Sequence, residues 1–182
     1  MNLLKRSAIG ASLVAAAMMA GTAHAGTVTL SVGGIASNGA LGDPTNETRY
    51  IDILAGVQIT NISWNVSFAT EGSSWLSEIG VDLNNGAAGG VSLFAGIGDD
   101  FAGTGSYSGS ADLIALGADF FLDSTGRLNF EFFEYFDDFV GATDATWLSG
   151  DLTVTYVPEP ATFGLAALAL LGAGATTRRR KS

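Results

Sequence analysis

The middle of this 182-residue chain predicts an all-β fold, a jelly-roll type β-sandwich of about eight strands, and three observations carry that reading. Short runs rich in Val, Ile, Thr, Phe and Trp alternate apolar with polar residues. Twenty of the 25 glycines fall between residues 26 and 157, where they punctuate those runs as turn residues. No fixed period recurs, which argues against a solenoid or propeller.

Taken in order, Thr27 to Val32 alternates with Val28, Leu30 and Val32 on one side. Arg49 to Leu54 follows. Val57 to Phe68 alternates first through Val57 and Ile59, then through Ile62, Trp64, Val66 and Phe68; the step of three between Ile59 and Ile62 signals a β-bulge or a change of sheet. Further strands are expected at Trp75 to Leu83, Val91 to Ala95, Leu113 to Leu116, Phe120 to Leu122, Leu128 to Phe136 and Leu152 to Val157. Ala111 to Leu116 is the one stretch that could instead form a helical turn. Asn84-Asn85-Gly86 and Ser124-Thr125-Gly126 are turn sequences. Asp123-Ser124-Thr125-Gly126 ahead of Leu128 to Glu134 is similar to the turn and acid-bearing strand of P-domain jelly rolls, a likeness that favours jelly-roll over immunoglobulin topology.

The two ends read differently. Lys5 and Arg6, an apolar stretch from Ala8 to Ala20, and Ala23-His24-Ala25 form a secretory signal peptide over residues 1–25, with signal peptidase expected to cut before Gly26. His24 is the only histidine and the chain has no cysteine, so the mature chain would lack both. Ser-His-Asp and Cys-His hydrolysis, thiol redox chemistry, and zinc or copper sites built on imidazole or thiolate are thereby excluded. Residues 158–182 begin with Pro158-Glu159-Pro160, continue through an uncharged span from Ala161 to Thr177, and end in Arg178, Arg179, Arg180 and Lys181. A span of this length at about 1.5 Å per residue predicts a C-terminal transmembrane helix, and the basic cluster predicts a cytoplasmic stop.

This tripartite tail resembles the PEP-CTERM sorting signal of Gram-negative bacteria that make exopolysaccharide. The resemblance implies passage through the secretion machinery, transient anchoring in the inner membrane, cleavage near Pro158 to Pro160 by an exosortase, and release to the cell surface or extracellular matrix. It implies nothing about the activity of the cargo.

Between the ends lie 17 acids and two bases, Arg49 and Arg127, a net charge of −15. Such a surface repels nucleic acid and favours cations or neutral partners. Glu134, Asp137 and Asp138, joined by Asp99 and Asp100 from another loop, form a candidate calcium set, because calcium takes hard carboxylate oxygens from flexible loops. Trp75 and Trp147 stand at expected strand starts and are candidates for stacking on exopolysaccharide sugars; Trp64, in phase with Ile62 and Val66, belongs to the core. No nucleophile elbow or phosphate loop is present, and the expectation is a non-enzymatic exported protein with a structural or matrix-associated role. A calcium-dependent or carbohydrate-binding lectin-like module is the alternative. A carboxylate-pair glycosidase stands behind both.

Overall fold

The computed structural model describes residues 24–138 and 141–159. The signal-peptide reading falls on residues 1–25 and the membrane span on 161–177, so almost all of the first and the whole of the second lie outside the described residues, as do Pro160 and the basic tail. Among the described residues no helix is long and apolar enough to cross a membrane.

Within the compact unit Ala25–Pro158 the chain forms strands β1 (Gly26–Ser31), β2 (Ile35–Ser37), β3 (Glu47–Asp52) and β4 (Gln58–Thr70). A 3-10 turn at Leu76–Glu78 leads into β5 (Ile79–Asn84), β6 (Gly90–Leu93) and β7 (Thr104–Asp112). After the helical turn α1 (Leu113–Leu116) come β8 (Phe120–Phe121), β9 (Arg127–Glu134) and β10 (Ala145–Val157). One sheet runs β1-β10-β4-β7, with β2 added to β10 and β8 to β4; the other runs β3-β9-β5-β6. Every pairing is antiparallel. The two sheets make a β-sandwich. Each sheet has four main strands, and the chain crosses repeatedly between the two sheets.

The apolar alternation explains which faces meet. Ile62, Val66 and Phe68 of β4, Leu128, Phe130 and Phe132 of β9, Val81 and Leu83 of β5, and Leu152 and Val154 of β10 are all buried in one core. Two bulges keep the long strands in phase with it. Opposite β10, Thr155 pairs with Asn61 and Tyr156 with Ile59, leaving Thr60 extra, so inward positions change from Ile59 to Ile62. In β10 the pairs Trp147↔Phe68 and Ser149↔Ser67 leave Leu148 extra, so inward positions change from Trp147 to Leu152 and Val154. Without these insertions the second half of each strand would turn its apolar side chains to solvent. Gly150 sits just past the second bulge with φ +108°, and a Cβ there would collide with the Asn65 carbonyl oxygen.

Leu113 to Leu116 is helical rather than extended. The Asp112 side chain accepts from the Ala115 N–H at 3.1 Å, and Gly117 at φ +66° closes the turn. The strand in this region is β7, whose run Thr104–Asp112 is made of Gly, Ser and Ala around Tyr107. Packing on β4 holds it as an edge strand, since its sequence carries almost no apolar pattern.

Trp147 is not available to a sugar: it is 0% exposed. Its ring lies 5.0 Å from Phe68 in its own sheet and 5.2 Å from Phe132 in the opposite one, and its Nε1–H donates to Ser37 Oγ at 3.2 Å. The strand-start position that marked it for stacking is in fact the inward parity before the bulge. Trp147→Ala is expected to cost about 3–5 kcal/mol, combining the lost ring with the cavity it leaves. Chemical denaturation checks this; a loss below about 1 kcal/mol would mean that the ring does not tie the sheets together.

Candidate functional site

At the end of the sandwich where β4 finishes and β10 begins, three segments converge. The 3-10 turn is fixed first, by Leu76, which is buried in the core. Its N–H donates to the Phe101 carbonyl at 3.0 Å and that of Ser77 to the Asp99 carbonyl at 3.1 Å, tying the turn to the loop after β6. With Leu76 inward, its neighbour Trp75 is thrown outward and is 45% exposed. Glu78, three residues on, accepts from the Trp75 N–H at 3.0 Å and so caps the turn with its own side chain.

The loop after β6 is pinned by two side-chain bonds. Ser77 Oγ donates to Asp100 Oδ1 at 2.7 Å, and the Tyr107 hydroxyl donates to Asp99 Oδ2 at 2.7 Å. Burial, together with the Asp99 carboxylate, pushes the Tyr107 phenol up to about 12.

The third segment leaves β9. Its N–H bonds run from Glu134 to the Gly39 carbonyl and from Tyr135 to the Glu78 carbonyl, both at 2.9 Å. Phe133 faces the outer side of its sheet under Phe94, rings 5.4 Å apart and edge to face. Tyr135 and Phe136 stay exposed, with their rings 4.9 Å apart. Together the segments border a shallow, open hollow of about 350 Å³ lined by Trp75, Ser77, Glu78, Phe94, Ile97, Gly98, Asp100, Tyr135 and Phe136.

Beside the hollow, one ligand oxygen each of Glu78, Glu134 and Asp138 lies within 4.8 Å of the others. Glu134 is 0% exposed, because it occupies the inward parity two residues after Phe132. Burial holds its carboxyl well above the ordinary carboxylate range, and the nearby Asp144 and Glu78 push the same way. Ser74 lies close enough to favour the charged form, without a hydrogen bond of proper geometry.

The sequence-derived candidates thus separate. Trp75 lines the hollow and Trp147 does not. Glu134 and Asp138 come together, but the third carboxylate is Glu78, not Asp99 or Asp100. Asp99 is engaged by Tyr107, Asp100 belongs to the hollow, and Asp137 buries Oδ1 without a hydrogen-bond partner. Glu78 was legible only as the residue three after Trp75, the spacing of a turn cap inside what alternation reads as a strand.

Because the folded Tyr107 value lies above that of a free phenol, the stabilisation it brings is present below about pH 10 and is lost as pH rises from about 10 to 12. Tyr107→Phe should therefore be about 1 kcal/mol less stable than wild type at pH 8, with the gap closing toward pH 12. Denaturant midpoints across that range test it, and a pH-independent gap would dissociate the phenol from Asp99.

Comparison with known proteins locates one recognised segment: residues 157–181 match the PEP-CTERM protein-sorting motif. No curated protein matches the chain. Among solved structures, the VP2 subviral particle of infectious bursal disease virus is similar at a TM-score of 0.40 and 12% identity, over 72% of this chain. This chain spans about a third of that one, 32%. The C-terminal segment of this chain is a PEP-CTERM sorting motif, which implies export and sorting to the cell surface through an exosortase, and the sandwich before it is not assigned to a family.

Proposed function

We propose that this protein is a non-enzymatic component of the cell surface or exopolysaccharide matrix, whose sandwich is the cargo and whose tail is removed by exosortase. The sorting motif matched at residues 157–181 carries the reading, and it begins where β10 ends, at Val157. Pro158 cannot continue the strand, so the chain passes from a hydrogen-bonded ladder to an extended segment that an enzyme can grip. The uncharged span and the cluster Arg178 to Lys181 would hold that segment at the membrane face during cleavage. Glu134, whose raised pKa would suit a general acid, is fully buried and cannot touch a glycosidic oxygen, so it does not supply the acid of a carboxylate pair.

Mass spectrometry of the exported protein should show a chain ending near Pro158 to Pro160. Replacing Pro158, Glu159 and Pro160 with Ala should leave a membrane-bound precursor. An exported wild-type chain that still ends at Ser182 would make the tail a plain anchor.

A second reading is favoured by the hollow. Exposed Trp75, Tyr135 and Phe136 surround it, and Ser77, Glu78 and Asp100 supply oxygens at its rim. Aromatic faces beside hydroxyl-binding oxygens suit a pyranose ring, so the hollow would hold a sugar of the surrounding polysaccharide. Trp75→Ala should weaken binding to extracted host polysaccharide about tenfold or more, with no change in melting temperature. Equal binding by wild type and variant would remove the hollow from this role.

A further inference from the structure

Glu134 poses a problem that its immediate surroundings do not solve. It is 0% exposed, neither Oε1 nor Oε2 receives a hydrogen bond of proper geometry, and the Asp144 carboxyl beside it is a second acid that relieves it only by sharing a proton. The neighbouring Ser74 Oγ, also buried, has none either. Buried polar atoms are almost always paired, because leaving them bare forfeits solvation without return. Here the bare atoms point to where Glu78 and Asp138 also place carboxylate oxygens.

We propose that Glu78, Glu134 and Asp138 bind one calcium ion. Three oxygens within 4.8 Å of one another share a centre no farther than about 2.8 Å from each, so a small inward shift of the exposed Asp138 brings them to the calcium–oxygen distance of about 2.3–2.6 Å. The donors are all hard carboxylate oxygens, with no imidazole or thiolate among them, which selects an alkaline-earth ion over zinc or copper. Burial is graded across the set: Glu134 forms the floor, Glu78 the side, and exposed Asp138 the entrance. The geometry is anchored where it must be rigid. Glu134 is held by its N–H bond to Gly39, and Glu78 by its cap on Trp75. The surrounding charge of −15 over residues 26–157 draws cations to the domain. This site borders the hollow through Glu78 but does not depend on the sugar reading, since the bare oxygens exist whatever fills the hollow.

The test uses the purified full-length chain, melted in millimolar calcium chloride and in chelator at matched ionic strength. Calcium should raise the midpoint by about 5 °C, and one ion should bind per chain. Terbium, which occupies calcium sites, should show emission sensitised by Trp75 and quenched by added calcium. Asp138→Asn, on the surface and harmless to the fold, should lose most of the shift; Glu134→Gln should lose all of it, and exposed Asp151→Asn should keep it. An unchanged wild-type midpoint overturns the proposal, and so does a calcium shift retained in Asp138→Asn. If Glu134→Gln does not fold, Asp138→Asn and terbium decide the matter.

Discussion

Because β4 and β10 pair over their whole lengths, from Gln58↔Val157 to Thr70↔Ala145, the remaining elements take their positions from this one ladder. β7 and β8 add to the free side of β4, and β1 and β2 to that of β10. The ladder also reaches across the core, since Trp147 on β10 touches both Phe68 beside it and Phe132 in the opposite sheet. A one-residue slip anywhere along it would turn the apolar set outward. The bulges at Thr60 and Leu148 absorb that hazard by resetting parity where the core requires it.

The same parity rule places the one unusual acid. Phe130 and Phe132 point inward along β9, so Glu134 must point inward too, where the strand ends and the core thins. Phe133 points the other way and would be left bare, were it not for Phe94. Gly80 on the neighbouring strand makes room for both rings, since a Cβ there would lie 2.7 Å from Phe133 and 2.9 Å from Phe94. Aromatic cover outside and a carboxylate inside therefore arise from two consecutive residues of one strand.

Strong alternation was legible from sequence and weak alternation was not. β1, β4 and β9 announced themselves, and the step of three at Ile59 to Ile62 was the bulge it suggested. β7 was missed, because Gly, Ser and Ala carry no hydrophobic pattern and their pairing is imposed by β4. Leu113 to Leu116 looked extended by residue type, yet a cap at Asp112 and a stop at Gly117 made it a helical turn. For the site, exposure was the unreadable variable. Trp75 and Trp147 look alike in sequence, but the inward turn of Leu76 frees the first and strand parity buries the second. Glu78 was hidden for a different reason: its contact with Asp138 and Glu134 spans loops whose meeting no local spacing encodes.

The polarity of the sandwich sets its two ends apart. Gly26 pairs with Tyr156, so the chain enters and leaves the sandwich at one end. The hollow and the carboxylate set lie at the other end, where Ala145 pairs with Thr70. Along β10 those ends are separated by about 40 Å, taking 13 residues at roughly 3.3 Å each. Both basic residues between them are already engaged, Arg49 with Glu47 at 2.6 Å and Arg127 with Asp52 at 2.8 Å under Tyr50. Each of the two cationic side chains between residues 26 and 157 thus faces a carboxylate, and the net charge of −15 opposes the approach of a polyanion.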